Sequence, residues 1–260
     1  MTDIEASWET RSKQYGRRIE GVLPKSLPPE LNNYLDNFMF EEIAGCVGDK
    51  SQKMLDLGCG YGRLSKRLLQ KYSNLKITGV DLSQTYVDIY NRQLNPRGVA
   101  IKGDIKKLPF KNNTFDIVFI VTALMYVVDR ADQERVISEM VRVLKHKGFL
   151  IIIERSPIGH AIFTLGGFLP AVRGKNKNEI SSVSFKYGEM KKLLKKNNLE
   201  VLKVSGVPFW TMFIHLNLAL SFISKALLNT SLKFTHFLDK KFSSFLTPSM
   251  YISYISTRKK

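Results

Sequence analysis

Three glycines at alternate positions mark the part of the sequence best suited to chemistry. Gly58, Gly60 and Gly62 lie in the stretch LDLGCGYG, between an apolar run typical of a strand and a leucine-spaced segment typical of a helix. Glycine accepts a positive φ and lets a ligand lie directly against the backbone. The N–H groups at the start of a helix favour an anionic or polar group. The turn therefore predicts a binding site for a ligand with a polar end.

Two common nucleotide-binding motifs do not fit this turn. The dinucleotide fingerprint G-x-G-x-x-G requires glycine where this chain has Arg63, and a phosphate-binding loop requires a Gly-Lys-Ser/Thr sequence that the segment lacks. The spacing therefore disfavours NAD and ATP as ligands. A tight turn without a ligand is the alternative, and it is disfavoured because glycine lowers stability where its freedom is not needed.

Two aspartates follow the next two predicted strands. Asp81 ends the run LKITGVD, and Asp104 ends VAIKGD. In a doubly wound sheet, ligands bind at the carboxyl ends of the strands. There Asp81 is suited to accept hydrogen bonds from a ribose diol, and Asp104 to accept an adenine amino group. Taken alone, Asp81 is also explained as a helix cap and Asp104 as the start of a turn. Three features at the ends of three successive strands support a ligand site more strongly than any one of them.

The elements that position these residues alternate between strand and helix. Strands are predicted at KMLDL, LKITGVD, VAIKGD, FDIVFIVT and KHKGFLIIIE, with helical patterns after most of them. Ser83 and Asp129 are predicted to cap two of the helices. Such alternation with short connections predicts an α/β fold, a doubly wound and mostly parallel sheet with helices on both faces.

Composition and charge limit the class of protein. The chain has 260 residues, of which 44% are hydrophobic and 24% charged, as in ordinary globular proteins. Its net charge of +17 suits nucleic acid, anionic lipid or acidic substrates as partners, and equally a lysine-rich solvated surface. Cys46 and Cys59 are its two cysteines, so we expect neither a disulfide framework nor a metal site. The N-terminus lacks an apolar signal core, which predicts a cytoplasmic protein.

These stretches together resemble the class I S-adenosylmethionine-dependent methyltransferases of the small-molecule and lipid type. LDLGCGYG is similar to the family's first motif, GVDLS to its second, and GDIKKLPFKNNTFDIVF to its third and fourth. The resemblance covers about Trp8 to Thr257. It implies a Rossmann-like sheet with an antiparallel C-terminal edge, and S-adenosylmethionine as cofactor. The residues it assigns to cofactor binding are Tyr15, Asp56, Gly58, Cys59, Gly60, Gly62, Asp81, Leu82, Asp104, Ile105 and Val121.

The resemblance also gives roles to these residues. The glycine turn would hold the methionine portion of the cofactor, Asp81 the ribose hydroxyls, and Asp104 with Ile105 the adenine. Tyr15, in SWETRSKQYG, would close over the cofactor as part of an N-terminal cap.

Two residues are candidates for catalysis. The sulfonium of the cofactor already activates the methyl group, so the protein must mainly align the acceptor and exclude water. The family often places a histidine after the fourth strand, where this chain has Tyr126 in LMYVVD. Tyr126 is therefore a candidate to orient or deprotonate the acceptor, with core packing as the alternative. His160, in the segment after the fifth strand, is the second candidate, with no role in catalysis as its alternative.

The chain is predicted to form one methyltransferase domain, 1–260. Its predicted segments are N-terminal cap helices (1–50), the cofactor-binding core (51–155), a lid or loop (156–185), a helix and a strand (186–206), an apolar helical insertion (207–248) and the last strand (249–260). Within the insertion, VPFWTMFIHLNLALSFISKALL is nearly long enough to span a bilayer, but His215 and Asn217 interrupt it. A buried helix pair and an apolar surface over a lipophilic acceptor or against a membrane, through 207–228, are both left open.

The acceptor is only partly defined by the sequence. The Asn/Asp-Pro-Pro-Tyr motif of enzymes that methylate exocyclic amines of nucleobases is replaced by VTALMY, and the chain has no Pro-Cys pair. Nucleic acid is therefore disfavoured, and we expect a small-molecule acceptor, lipophilic or linked to a glycan or lipid. The alternatives are an RNA methyltransferase, which would bind RNA with a steep salt dependence, and a cofactor-binding interaction protein without transfer activity.

Overall fold

A central sheet organises the molecule. The computed structural model describes residues 3–165 and 180–258, and within them the chain forms a seven-stranded sheet of order β3-β2-β1-β4-β5-β7-β6. The strands are β1 (Gln52–Leu57), β2 (Leu75–Asp81), β3 (Gly98–Lys102), β4 (Phe115–Val121), β5 (Leu144–Arg155), β6 (Leu199–Gly206) and β7 (Tyr251–Arg258). All neighbours are parallel except at β7, which is antiparallel to both β5 and β6. The predicted mostly parallel sheet with antiparallel pairing near one edge is confirmed.

Helices follow most strands and cover the sheet. They are α1 (Asp3–Tyr15), α2 (Pro29–Ala44), α3 (Arg63–Lys71), α4 (Gln84–Leu94), α5 (Arg130–Val143), α6 (Pro157–Leu165), α7 (Tyr187–Lys196), α8 (Pro208–Met212), α9 (Ile214–Ile223) and α10 (Lys225–Lys241). Short 3-10 turns lie at Ile19–Gly21 and Leu124–Tyr126.

The sheet separates two hydrophobic layers. Alternate residues of β1 point to opposite faces, so Met54 packs in one layer and Leu55 in the other, and both are fully buried. Helices α2, α3, α4, α8, α9 and α10 contribute to the first layer, and α5 and α7 to the second. Burial on both faces explains why the central strands are continuous apolar runs. The prediction of helices on both faces is confirmed.

The predicted helix caps are present. The Ser83 hydroxyl accepts a hydrogen bond from the N–H of Tyr86 (3.2 Å), and Asp129 Oδ1 accepts one from the N–H of Asp132 (2.9 Å). Each cap satisfies an N–H group that has no partner inside its helix. The caps fix where α4 and α5 begin, just after the carboxyl ends of the strands.

The segment after β5 differs from its prediction. Residues 157–165 form helix α6 where the glycines and prolines indicated a lid or loop; the rest of that glycine-rich stretch, 166–179, lies outside the described residues. Pro157 occupies the first turn of the helix, which tolerates proline. Gly159 serves close packing, because a Cβ atom there would lie 2.2 Å from the carbonyl oxygen of Ser249. Gly159, which the sequence indicated as a break in regular structure, thus allows α6 to pack closely against the segment that leads into β7.

The apolar insertion has one buried side and one exposed side. Trp210, Ile214 and Leu218 are buried in the first hydrophobic layer, whereas Phe222 and Phe234 are exposed. The helices of the insertion therefore cap the core with one side, and their other side is exposed. Among residues 3–165 and 180–258, no helix is both long and apolar enough to cross a membrane.

A buried carboxylate anchors the insertion to the rest of the molecule. Asp239, on α10, accepts hydrogen bonds from the N–H groups of Phe209 (2.7 Å) and Trp210 (3.1 Å) at the start of α8. Its Oδ2 also accepts the hydroxyl of Tyr34 on α2 (2.7 Å). One side chain thus joins three helices, which fixes which side of α10 faces the core.

The glycine turn yields a prediction about stability. Gly62 has φ 81°, and a Cβ there would lie 2.7 Å from Tyr90 Cδ2 and 2.9 Å from Leu94 Cδ1, whereas Gly16 has φ 53° and open space around it. We expect Gly16→Ala to lower the free energy of unfolding by about 1 kcal/mol through its positive φ. Gly62→Ala should add about 1–3 kcal/mol of overpacking to that loss. Urea unfolding of both variants measures the difference, and equal losses would contradict this account.

Candidate active site

A cavity of about 340 Å³ lies at the carboxyl ends of β1, β2 and β4. In the sheet, β2 lies on one side of β1 and β4 lies on the other, so the order of the strands reverses at β1. Doubly wound sheets bind their ligands at this switch point. The predicted cofactor residues that line it are Asp56, Gly58, Cys59, Gly60, Asp81, Leu82, Asp104, Ile105 and Val121. Tyr126 also lines it. The fold therefore brings together most of the residues singled out from the sequence.

The three glycines of the turn have three different surroundings. A Cβ on Gly58 would lie 2.5 Å from the Cβ of Ala123, so this glycine permits close approach of the chain after β4. Gly60, with φ 53°, faces the cavity, and a Cβ there would meet only Val22, at 3.5 Å. Gly62 packs against α4 and is not among the cavity-lining residues. The turn thus presents two glycines to a ligand and uses the third for helix packing.

Asp81 joins this turn to the end of β2. Its Oδ2 accepts the N–H of Gly60 (2.8 Å), and its Oδ1 accepts the N–H of Ser83 (2.9 Å). Burial raises the pKa of Asp81 to about 6, although both hydrogen bonds oppose the rise. Each carboxylate oxygen accepts more than one hydrogen bond. The side chain therefore keeps capacity for two hydroxyl donors while it holds the turn in place.

Asp56 and Cys59 form the floor of the site. Asp56 Oδ2 accepts the hydroxyl of Ser65 (2.6 Å), which ties the end of β1 to α3. Burial raises the pKa of Asp56 to about 7. Burial also raises the pKa of the Cys59 thiol, so this cysteine is a protonated, packed side chain and not a nucleophile.

An ion network borders the cavity at Asp104. Its Oδ1 accepts the N–H of Lys106 (2.9 Å). The Nζ of Lys106 donates to Asp132 (3.0 Å) and lies 3.6 Å from Asp104 Oδ2. The hydrogen bond to Asp132 raises the pKa of Lys106. All three side chains line the cavity, so Asp104 is oriented by groups that sequence reasoning did not identify.

The N-terminal helix α1 closes one side of the cavity through different residues from the one predicted. Trp8 and Ile4 line the cavity. Tyr15 is not among the lining residues; its ring lies near the cations of Arg18 (5.0 Å) and Lys25 (4.6 Å). Tyr15 follows Trp8 by seven residues, about two helix turns, and its role in closing over the cofactor stays a prediction.

Glu9 fastens this helix to α4. Its carboxylate accepts the hydroxyls of Thr85 (2.6 Å) and Ser83 (2.9 Å). Burial alone would raise the pKa of Glu9, but these hydrogen bonds lower it to about 2. The ionised carboxylate at the start of α4 also suits the positive end of that helix. Glu9 thus positions Trp8 over the cavity.

Tyr126 lies opposite this helix in a 3-10 turn. Its ring meets that of Trp8 edge-on, with centroids 4.9 Å apart. Glu154, at the end of β5, supports the turn because its Oε1 accepts the N–H of Leu124 (2.8 Å). Burial raises the pKa of Glu154 to about 8. A buried, protonated carboxyl therefore holds the turn that carries Tyr126.

Thr122 introduces strain where β4 leaves the sheet. Its φ is 52°, which is rare for a β-branched residue. Its N–H donates to the carbonyl of Ile153 (2.8 Å), and the residue lines the cavity. Such conformations cost about 1–3 kcal/mol and occur mainly at functional sites. The strained residue directs Ala123 towards Gly58 and Tyr126 towards Trp8.

His160 lies in α6, half-buried, and is not among the residues that line the cavity. Burial and the nearby cation of Arg155 lower its pKa. Its proposed role as a base stays a prediction without a contact to the site.

Several lining residues were not predicted from the sequence as part of the site. They are Ile4, Trp8, Val22, Tyr61, Arg63, Leu64, Tyr86, Lys106, Thr122, Ala123, Val127, Val128, Asp129 and Asp132. Arg63 served only to exclude a dinucleotide motif, yet it lies in the wall next to Asp36, with which it forms an ion pair. Trp8 stands in the stretch SWETRSKQYG, where an aromatic side chain beside Glu9 was the available hint.

Glu154 yields a prediction about pH. Its pKa is 4.5 when unperturbed and about 8 in the fold, so the folded state binds one more proton between these values. The free energy of unfolding should therefore fall as the pH rises from about 4.5 to about 8, and level off above that. Glu154→Gln keeps the acceptor for Leu124 and should remove this part of the decline.

Urea unfolding at several pH values measures the effect, with Glu200→Gln on the exposed side of β6 as the matched control. Asp56 and Asp81 contribute declines of the same sign in all three proteins. An unchanged pH profile in Glu154→Gln would contradict a protonated Glu154.

Comparison with known proteins identifies the domain that builds this site. The family model described as a methyltransferase domain matches residues 55–152, which contain the glycine turn, Asp81, Asp104 and Tyr126. Demethylmenaquinone methyltransferase of Thermotoga maritima is 37% identical over 113 residues, covering 44% of this chain and 48% of that protein. Fatty-acid O-methyltransferase of Mycolicibacterium smegmatis is 27% identical over 136 residues, covering 52% of this chain and 48% of that protein.

The chain thus spans about half the length of these curated relatives. Among solved structures, magnesium protoporphyrin IX methyltransferase from Synechocystis PCC 6803, with bound SAH, superposes with a TM-score of 0.64 at 15% identity and covers 98% of both chains. That similarity extends the common fold over nearly the whole chain. Residues 55–152 are therefore a methyltransferase domain by similarity, in agreement with the S-adenosylmethionine-dependent family and the cofactor predicted from the sequence.

Proposed function

We propose that the protein is an enzyme that transfers a methyl group from S-adenosylmethionine to a small-molecule acceptor that is lipophilic or linked to a lipid or glycan. One observation carries the proposal. A glycine turn hydrogen-bonded to Asp81 lies in a cavity of about 340 Å³ at the switch point of the sheet. An aromatic pair, Trp8 and Tyr126, lines the same cavity.

The residues present fit the cofactor. Gly60 lines the cavity, and without a side chain it lets a ligand lie against the backbone. Asp81 has acceptor capacity left for a ribose diol.

Individual residues would hold different parts of the cofactor. The backbone at Gly58 and Gly60 would hold the amino-acid portion, Asp81 the ribose, and Asp104 with Ile105 the adenine. These assignments follow the resemblance to the family, and the lining of the cavity supports them.

The chemistry needs little from the protein beyond position. When bound, the cofactor supplies a methyl group already activated on a sulfonium centre. Trp8 and Tyr126 pack edge-on in the wall of the cavity and so keep water from that side of it. Tyr126, held by the turn that Glu154 supports, is our candidate for orienting the acceptor or accepting its proton. Alignment of the two reactants is the main contribution that such a site makes to rate.

A lipophilic acceptor is supported by the apolar wall of the site. Ile4, Val127 and Val128 line the cavity together with Trp8. Apolar lining with a few polar groups is typical of sites for small organic molecules. The names of the relatives above, a demethylmenaquinone methyltransferase and a fatty-acid O-methyltransferase, agree with an acceptor of this class. A cytoplasmic location stays a prediction.

Cofactor binding tests the first half of the proposal. Asp81→Ala removes two hydrogen-bond acceptors for the ribose and should weaken binding of S-adenosylmethionine by about a hundredfold or more. Asp88→Ala, on the exposed side of α4, is the matched control and should bind as the wild type does. Isothermal titration calorimetry measures both affinities.

Asp81 also holds the turn through Gly60, so circular dichroism must first show that the variant folds. Asp81→Asn, which keeps the size of the side chain, provides a second measurement of the same effect. A folded wild-type protein that does not bind the cofactor would refute the proposal.

Methyl transfer tests the second half. Labelled S-adenosylmethionine is incubated with the protein and separate lipid, glycan and RNA extracts, and we expect label in the lipid or glycan fraction. Tyr126→Phe should reduce kcat by about tenfold or more if the Tyr126 hydroxyl orients or deprotonates the acceptor. The matched control is Tyr187→Phe, because Tyr187 stacks on Tyr254 and is not among the lining residues. This control should leave kcat unchanged. Label in RNA would support the RNA methyltransferase alternative. Cofactor binding without transfer to any fraction would support the interaction-protein alternative.

A further inference from the structure

The helices α9 and α10 carry an unusual exposed surface, here named the α9–α10 face. It consists of Leu216, Phe222, Ile223, Leu227, Phe234 and Phe237, whose exposed fractions lie between 53% and 76%. Monomeric soluble proteins rarely expose many large apolar side chains side by side, and such patches usually mark an interaction site.

The spacing places these side chains on one side of each helix. Leu216 and Ile223 are seven residues apart on α9, as are Leu227 and Phe234 on α10. Residues at this spacing share a helix face. Phe237 follows Phe234 by three and extends the stripe.

The opposite side of the same helices already has a partner. Leu218 and Leu228 are buried in the first hydrophobic layer. Asp239 anchors α10 to Tyr34 and to α8. The α9–α10 face is therefore a second apolar side of these helices, and it stays exposed because the core packs against the opposite side.

Charge indicates what this face contacts. Residues 207–248 contain four lysines, Lys225, Lys233, Lys240 and Lys241, and one acidic residue. That residue, Asp239, is buried and hydrogen-bonded within the protein, whereas all four lysines are exposed. Lys225 lies 3.4 Å from Glu30 of α2 and Lys240 lies 3.7 Å from Glu41. Lys233 and Lys241 form no ion pair with any described residue, so the apolar stripe is accompanied by unpaired positive charge in a chain with a net charge of +17.

We propose that the α9–α10 face docks on an anionic lipid surface. Phenylalanine, leucine and isoleucine side chains enter the boundary between headgroups and acyl chains, and lysines beside them attract anionic headgroups. The helices would lie in the plane of the membrane, since within the described part of the chain none is long and apolar enough to cross it.

A second copy of this chain is the alternative partner for the α9–α10 face. A two-fold interface places the same surface on both partners. Lys233 and Lys241 of one copy would then approach those of the other, whereas Lys225 and Lys240 are already paired with Glu30 and Glu41. Electrostatic repulsion disfavours that arrangement, whereas an anionic membrane makes the same charge favourable.

Vesicle binding tests this proposal, which does not depend on the acceptor or on methyl transfer. The full chain is sedimented with vesicles of phosphatidylcholine alone and with vesicles of equal parts phosphatidylcholine and phosphatidylglycerol. We expect binding to the mixed vesicles only, and weaker binding as salt is raised.

Two pairs of substitutions separate the apolar and the charged contributions. The double variant Leu227→Ser/Phe234→Ser should weaken binding by about tenfold or more for each side chain, and Lys233→Gln/Lys241→Gln by about fivefold for each lysine. The matched controls are Val99→Ser/Leu202→Ser, exposed on β3 and β6, and Lys192→Gln/Lys195→Gln, exposed on α7. Both control pairs should bind like the wild type.

Three results would overturn the proposal. The first is a failure of the folded wild type to bind the mixed vesicles. The second is an equal loss of binding in the matched control variants. The third is a dimer in analytical ultracentrifugation that Leu227→Ser/Phe234→Ser dissociates, because a second copy would then cover the face. Retained binding of S-adenosylmethionine by each variant shows that it is folded.

Discussion

The hydrogen bond from the N–H of Gly60 to Asp81 is the constraint on which the site depends. It joins the turn after β1 to the end of β2, so that a flexible glycine segment and a carboxylate become one rigid unit. The same carboxylate accepts the N–H of Ser83, whose hydroxyl caps α4 and meets Glu9 of α1. A continuous series of hydrogen bonds therefore connects the glycine turn at Gly60 with helix α1, which borders the cavity.

The sequence predicted the parts of this arrangement that depend on local patterns. Apolar strands buried on both faces, helix caps and a glycine turn at a strand end are all visible over a few residues. Because parallel strands align their carboxyl ends, placing Asp56, Asp81 and Asp104 in one cavity required only the order of strands and helices. The three glycines were expected to share one role, but only contacts with Ala123 and Tyr90 distinguish Gly58 and Gly62 from Gly60.

The parts that the sequence did not predict depend on contacts between distant segments. Trp8 reaches Tyr126 across more than a hundred residues of chain, and no local pattern indicates which aromatic side chain of α1 faces the cavity. Gly159 resembles a helix breaker until the backbone at Met250 comes within reach of it. Lys106 became part of the site only because α5 brings Asp132 next to it. In each case the role of the residue depends on a contact with a distant segment and not on the type of the residue.

The position of β7 has a consequence for how the chain is made. β7 pairs with β5 on one side and with β6 on the other, yet it is synthesised after both. During translation, the edge of β5 stays open and β6 has no partner strand until residues 251–258 emerge from the ribosome. Open apolar strand edges are prone to aggregation. The strands β1 to β4 can assemble early, whereas β5 and β6 must wait for β7 to join them.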